Sequence, residues 1–324
     1  MLPNLLALLQ NVKGFTGSKH FHVKPRTGSD GNNGLSPRRA LKTLARAKAL
    51  ATANSGDCVF LHYESNTAAS TTDYQSVALD WNKDGVHLIG VGAGVIMGQR
   101  ARIGQTSTVK TIEDLFTLSA NNCYIANLEV FQGVATSTAT APRCTVVSGM
   151  RNVIENCQLS GIGDTSMDAA GARSLAVTGA ENIFKHCYIG LDTIIRGTAL
   201  GEIEVRATGN RNVFEDCIVN SYTSLSTFKA FLINTSGSSA HSLTVLKDCM
   251  LIAEQNRTST VAPTGAIIFG YAGNVCMLGG AVFGYADVST LDNANILIAS
   301  FNGRLDDDIK LVDIGVAMDV DVTD

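Results

Sequence analysis

The stretch Thr178-Gly-Ala-Glu-Asn-Ile-Phe-Lys-His-Cys187 recurs before and after itself, as Ser148-Gly-Met-Arg-Asn-Val-Ile-Glu-Asn-Cys157 and as Thr208-Gly-Asn-Arg-Asn-Val-Phe-Glu-Asp-Cys217. Weaker copies lie on both sides, and the cysteines of the whole series follow one another at intervals of 27 to 34 residues. A period of about 20–50 residues is typical of stacked structural units. Because each unit consists of short runs of β-forming residues, the repeat predicts an all-β solenoid, a parallel β-helix.

The cysteine in each repeat is expected to point inward and to stack on its counterparts in neighbouring coils. Free cysteine behaves there as a small hydrophobic residue, so we expect buried, reduced thiols; some disulfides or a zinc site are the alternatives. The predicted structural ladder contains Cys123, Cys157, Cys187, Cys217, Cys249, Cys276, Asn152, Asn182 and Asn212.

The composition limits the classes of partner. The chain has 324 residues, 17% of them charged, and a net charge of −4, so no basic excess indicates a nucleic-acid partner. No run approaches the roughly 20 apolar residues of a membrane span. The first ten residues contain a short apolar run without a basic flank, which makes a poor signal peptide, and we expect synthesis in a cytoplasm.

Turn-forming residues, a helix-start signal and changes in composition along the chain predict four segments. Ser36 and Pro37 are suited to begin a helix over 36–53, which would cover the first coil as a lid. The segments are an anchor and connector (1–19), a cap made of strand, turn, helix and first coil (20–62), the β-helix coils (63–303) and an acidic edge (304–324).

Catalytic candidates are few. Glycoside hydrolysis needs two carboxylates about 5–9.5 Å apart, and Glu202 and Glu204 would point to the same side of one strand, with Asp192 nearby. Arg196 could act as the base of a lyase, together with Arg206, but no cluster of Asp accompanies them. A solvated face or salt bridges between subunits would explain the same residues without catalysis.

The sequence predicts neither a cofactor nor a metal. The Asp30-Gly-Asn-Asn-Gly34 stretch is rich in oxygen ligands but lacks the spacing of a calcium loop, and a tight turn explains it. His20 and His22 share one face of a strand, but no third ligand is evident in the sequence. Aromatic residues make up only 6% of the chain, which weighs against a long sugar-binding groove.

The segment from Gly28 to Pro37, followed by Ala40-Leu-Lys-Thr-Leu44 and Gly56-Asp-Cys-Val-Phe60, resembles the amino-terminal cap of pectate-lyase-like proteins. In that pattern a Gly-rich turn ending in Leu-Ser-Pro precedes a capping helix, and Gly-Asp-x-Val opens the first coil. The resemblance covers residues 20–62. It implies a right-handed parallel β-helix with an N-terminal capping helix, and it implies no particular activity because many activities share this cap.

A second resemblance concerns the coils. The stretches Asn182–Cys187 and Asn212–Cys217 are similar to those of virion proteins of tailed bacteriophages, namely tailspikes, fibres and head decorations. This resemblance implies a homotrimer on a virion surface, contacts with capsid or tail proteins, and a host-surface glycan as a candidate ligand. Because no catalytic constellation stands out in the sequence, we expect this protein to be non-catalytic. The alternative function is a polysaccharide lyase or glycoside hydrolase on the same scaffold.

Overall fold

Three parallel sheets form the walls of a right-handed β-helix in the computed structural model, which describes residues 18–64, 72–92, 101–206, 208–234, 243–255, 262–269, 274–289 and 296–299. Each complete coil contributes one strand to each sheet, so a strand inside a sheet is hydrogen-bonded to the strands one coil before and one coil after it. The fold predicted from the repeat is confirmed. The expected anchor (1–19, apart from its last two residues) and the acidic edge (304–324) lie outside the described residues.

From β2 to β24 the strands belong to sheets A, B and C in rotation along the chain, and β1 and β25 are the outer strands of sheet A. Sheet A contains β1 (His20–Val23), β2 (Cys58–His62), β5 (His87–Val91), β8 (Tyr124–Ala126), β11 (Val153–Glu155), β14 (Ile183–Lys185), β17 (Asn212–Glu215), β20 (Leu243–Lys247), β23 (Asn274–Leu278) and β25 (Ile296–Ala299). Sheet B contains β3 (Thr72–Gln75), β6 (Arg102–Gln105), β9 (Glu129–Gln132), β12 (Gln158–Ile162), β15 (Tyr188–Arg196), β18 (Ile218–Thr223), β21 (Met250–Gln255) and β24 (Ala281–Phe283). Sheet C contains β4 (Leu79–Trp81), β7 (Asp114–Leu118), β10 (Arg143–Val147), β13 (Arg173–Val177), β16 (Gly201–Arg206), β19 (Lys229–Asn234) and β22 (Ile267–Phe269).

The core lies inside the coil and consists of columns of apolar side chains. In sheet A, Ile154, Phe184 and Phe214 pair in register on successive strands. The rings of Phe184 and Phe214 stack with centroids 4.5 Å apart and planes 6° from parallel. A side chain on one coil therefore packs mainly on the equivalent residue of the next coil, about 4.8 Å away.

Asparagines stack in the turn that leads from sheet C to sheet A. The backbone N–H of Asn152 donates to Oδ1 of Asn182 at 3.0 Å, and that of Asn182 donates to Oδ1 of Asn212 at 3.0 Å. The Asn182 amide Nδ2 donates to the carbonyl of Gly149 at 3.0 Å. The residue before each asparagine has positive φ, for example Glu181 at 60°, which turns the amide side chain inward. Each buried amide thus pairs backbone groups that the turn leaves without sheet partners.

A cysteine column lies in the turn from sheet A to sheet B. Cys157, Cys187, Cys217 and Cys249 are buried and free, and each follows a residue with positive φ. The Sγ of Cys217 contacts the carbonyl of Phe184, one coil earlier, at 3.4 Å.

The prediction is wrong for Cys123 and Cys276, the first and last cysteines of the predicted ladder, because neither lies in this column. Cys123 heads the asparagine column instead, since its N–H donates to Oδ1 of Asn152 at 2.8 Å. Cys276 lies within β23, beside Val245, and is half-buried on the outer row of sheet A. The irregular spacings of 34 and 27 residues to their neighbours reflect these different places in the coil.

The cap helix is shorter than predicted. Only α1 (Leu44–Leu50) is α-helical, and Thr43 caps it by accepting a hydrogen bond from the N–H of Arg46. Residues 37–39 form a separate 3₁₀ turn, and Ser36 makes no side-chain cap. The reason is that Leu41 is extended and forms a bridge with Val23 of the cap strand. In the part of the chain that the structure describes, no helix is long and apolar enough to cross a membrane.

We predict that Asn182→Ala lowers the free energy of unfolding by about 1–3 kcal/mol, because it leaves buried backbone groups without partners. Urea denaturation of the purified protein measures the change. Thr178→Ala, in the same turn but outside the ladder, is the control and should unfold close to wild type. Equal stability of the two variants would contradict a supporting role for the ladder.

We also predict that one of the eight thiols reacts rapidly in the native protein. Burial raises the pKa of Cys157 to about 12, and seven of the eight cysteines are buried while Cys276 is half-buried. Ellman's reagent should titrate one group quickly and all eight after unfolding. Cys276→Ser should abolish the fast phase; rapid reaction of several thiols in that variant would show that the column is open to solvent.

Candidate functional site

Three of the residues suggested as catalytic, Arg196, Glu202 and Glu204, lie in a buried ion network on the outside of sheet C. Arg196, the last residue of β15, places Nη1 3.4 Å from Oε1 of Glu202 and Nε 3.1 Å from Oδ1 of Asp168. All three side chains are buried, and Glu202 is 0% exposed. One guanidinium therefore bridges two carboxylates away from water.

The carboxylates have further partners. Asp168 accepts hydrogen bonds from the backbone N–H groups of Gly197, Thr198 and Ala199 at 2.6, 2.8 and 3.1 Å. Glu202 accepts one from the hydroxyl of Ser174. Burial raises the pKa of Glu202, while Arg196 and Ser174 act in the opposite direction by stabilising its ionised form.

Glu204 belongs to an adjoining part of the same network. Its Oε2 lies 3.3 Å from Nε of Arg173 and 3.9 Å from Nη1 of Arg206. Burial lowers the pKa of Arg173, and Glu204 opposes that shift. The network thus contains three arginines and three carboxylates, and its net charge is zero when every member is ionised. Its members are Arg173, Arg196, Arg206, Asp168, Glu202 and Glu204.

Loops inserted between sheets B and C cover the network. β15 is extended to nine residues, and its pairing with β18 shifts register between Leu191 and Arg196, which carries the end of the strand over sheet C. The Arg196 guanidinium lies 5.8 Å from the ring centroid of Phe228. A small apolar cluster completes the cover and consists of Val134, Ile162, Met167, Ala172, Ala199 and Phe228.

The network does not have the properties of a hydrolytic site. A pair of catalytic carboxylates must reach both a sugar and a water molecule, whereas Glu202 is sealed and Glu204 is only 7% exposed. Asp192 is exposed on β15 and is not part of the network. The structure therefore unites Arg196, Glu202 and Glu204 and leaves Asp192 outside.

Asp168 and Arg173 are the members that sequence reasoning missed. Asp168 lies in a loop rich in Gly and Ala, and no local pattern marks it as the partner of a residue 28 positions later. The one available signal was the presence of two Arg and two Glu within the short segment 196–206.

A second feature is a shallow surface cleft on the outer face of sheet B. Tyr74, Gly104 and Phe131 are in register on successive strands, so the glycine leaves a gap between two aromatic side chains. The cleft encloses about 280 Å³. Arg102 lines it as well, 5.2 Å from the ring centroid of Phe131 and paired with Glu129 at 2.6 Å.

The oxygen-rich turn at 30–34 is explained by backbone contacts. Oδ1 of Asp30 accepts hydrogen bonds from the N–H groups of Lys42 and Thr43 at 2.9 and 3.0 Å, which ties the turn to the start of α1. Among the described residues, no group of three or more His, Cys, Asp or Glu side chains is arranged around one metal position.

Comparison with known proteins identifies the fold. No family model matches the chain, and no curated protein matches it. A pectin methylesterase solved in complex with a hexasaccharide is 13% identical, with 90% of this chain and 92% of that one covered at a TM-score of 0.54. A rhamnogalacturonan lyase is 14% identical, with coverages of 80% and 74% and a TM-score of 0.47, and the pectin methylesterase PemA from Erwinia chrysanthemi is 12% identical, with 87% and 93% and a TM-score of 0.49. The chain thus has a pectate-lyase-like β-helix fold.

Proposed function

We propose that this chain is a non-catalytic structural protein of a tailed-bacteriophage virion, either a head decoration or a tailspike or fibre component. The observation that carries the non-catalytic part is the sealed network: the acidic pair that could have performed hydrolysis is neutralised by arginines and shielded from water. The virion part rests on the resemblance of the coils around Asn182 and Asn212 to phage virion proteins.

The outer face of sheet A supports self-association as a homotrimer. Val153, Ile183, Val213 and Val245 form a partly exposed apolar row in register along the column. Beside it runs a row of alternating charge that consists of Glu155, Lys185, Glu215 and Lys247. In this row Glu215 lies 3.3 Å from Lys185 and 2.7 Å from Lys247. A straight apolar row beside internally neutralised charges is suited to a second copy of the same column.

Light scattering on the purified protein tests the oligomer. We predict a mass of three times 34.1 kDa, and a monomer for Ile183→Lys, because a lysine would be buried without a partner in the contact. Met250→Lys, on sheet B, is the matched control, since Met250 is 38% exposed and Ile183 37%. A stable wild-type monomer, or equal masses for the two variants, would contradict this assembly.

Immunogold electron microscopy of virions tests the location. Antibodies against the folded protein should label particles at the head or tail surface. Labelling confined to the soluble fraction of lysed host cells would contradict the virion assignment.

The variant Arg196→Met tests whether the ion network contributes to the stability of the fold. Removing the guanidinium leaves Glu202 and Asp168 buried without their cation, and we predict a loss of about 3–5 kcal/mol in the free energy of unfolding. The matched control is Arg151→Met, which removes an ion pair whose arginine side chain is 62% exposed and should change stability far less. Urea unfolding measures both variants.

A polysaccharide assay completes that comparison. Wild type and Glu202→Gln should both release no detectable product from host-cell glycans. Cleavage by the wild type that is abolished in Glu202→Gln or Asp192→Asn, in variants that remain folded, would decide for the lyase or hydrolase alternative.

A further inference from the structure

Two histidines from neighbouring strands meet at the amino-terminal end of sheet A. His22 lies on β1 and His62 on β2, and Nδ1 of His22 is 2.8 Å from Nε2 of His62. Phe60 of β2 is the strand partner of His22. The Phe60 ring stacks on the His22 imidazole, with the two ring centroids 5.4 Å apart and the ring planes 23° from parallel. The orientation of His22 is therefore fixed by packing as well as by its histidine neighbour.

We infer that His22 and His62 form a chelating site for a divalent transition metal ion of the Zn²⁺, Cu²⁺ or Ni²⁺ class. His22 would bind through Nδ1 and His62 through Nε2, with water in the remaining coordination positions. Imidazole nitrogen is a preferred ligand for these three ions. The inference concerns a binding activity beyond the structural role proposed above, and its geometry does not depend on that role.

The separation of the two nitrogens suits a chelate. With metal–nitrogen bonds of about 2.0–2.1 Å, two donors at a right angle lie roughly 2.9 Å apart, and at a tetrahedral angle roughly 3.3 Å apart. The observed 2.8 Å is a few tenths of an ångström shorter than these separations, so the rings must part slightly and rotate until both lone pairs point to one metal position. Binding would replace the N–H···N hydrogen bond: the ring that donates this bond moves its proton to its other nitrogen, so that each neutral ring then carries its proton on the nitrogen that faces away from the metal.

Access and charge also favour a cation here. Both rings are half-buried, so solvent reaches them. The Glu64 carboxylate accepts hydrogen bonds from the N–H of Arg26 at 2.8 Å and from the hydroxyl of Thr27, which holds a negative charge near His62. Because only two protein ligands are present, we expect weaker binding than at a four-ligand structural zinc site.

The position gives such a metal a structural effect. β1 is an edge strand of sheet A. His22 and His62 are 40 positions apart in the chain, and the segment between them contains the cap helix. A metal held by both residues would join the edge strand of the cap to the first coil. Since the unfolded chain would not present this pair, binding should stabilise the folded protein.

The test uses the full chain, stripped with a chelator and titrated with ZnCl₂, CuCl₂ or NiCl₂ by calorimetry and in thermal melts. Wild type should bind one ion per chain at this pair and melt at a higher temperature with metal. His22→Asn and His62→Asn should each bind more than about tenfold more weakly, since even indirect partners of a metal are worth about 10–100-fold in affinity.

His20→Asn and His186→Asn are the matched controls and should keep the affinity of the wild type. His20 lies on the same strand as His22, and His186 lies 3.3 Å from Asp216, where it offers a competing surface site. Electron paramagnetic resonance of the Cu²⁺ protein should report two nitrogen ligands, a readout that altered folding of a variant would not imitate. Unchanged affinity in both His22→Asn and His62→Asn, or no binding by wild type, would overturn the inference.

Discussion

The fold depends on the need to pair every backbone amide at the corners of a stacked coil, that is, in the turns that lead from one sheet to the next. In the strands that need is met by the neighbouring coils, but in the turns the chain changes direction and leaves N–H and C=O groups facing the interior. A buried asparagine solves this problem because its side-chain amide accepts one hydrogen bond and donates another, as that of Asn182 accepts from the N–H of Asn152 and donates to the carbonyl of Gly149. Stacked copies of that arrangement set the register from coil to coil, and the register then aligns the apolar columns of the core.

Fixed corners also determine where extra residues can be inserted. The loops at 163–172, 197–200 and 224–228 all leave from the same side of the coil, between sheets B and C, so they lie on one another along the column. Residues inserted there cover polar groups that a minimal coil would expose. The network of Arg196, Glu202 and Asp168 is stable under that cover because its charges balance and its carboxylates accept further hydrogen bonds.

Periodic features were predictable from the sequence, and contacts between separate coils were not. The repeat predicted a stack of coils built of short strands, because each copy has the same order of apolar and polar residues. The helix over 36–53 was predicted too long, because helical spacing cannot reveal that Leu41 is held in an extended bridge to Val23. The sequence predicts Glu202 either as a catalytic carboxylate or as part of a solvated face. It is buried because loops from other coils cover it, and no local pattern reveals that cover. The proximity of His22 and His62 depends on pairing between β1 and β2, which no local pattern encodes.

Hydrogen–deuterium exchange of the native protein, read by mass spectrometry, tests the central role of the stacked corners most directly. If buried asparagines pair the corner amides, the amides of Asn152 and Asn182 will exchange as slowly as those of the adjacent strands β11 and β14. They will exchange far more slowly than those in the exposed part of the loop at 163–172. Corner amides that exchange as fast as that loop, while the strands stay protected, would contradict the account.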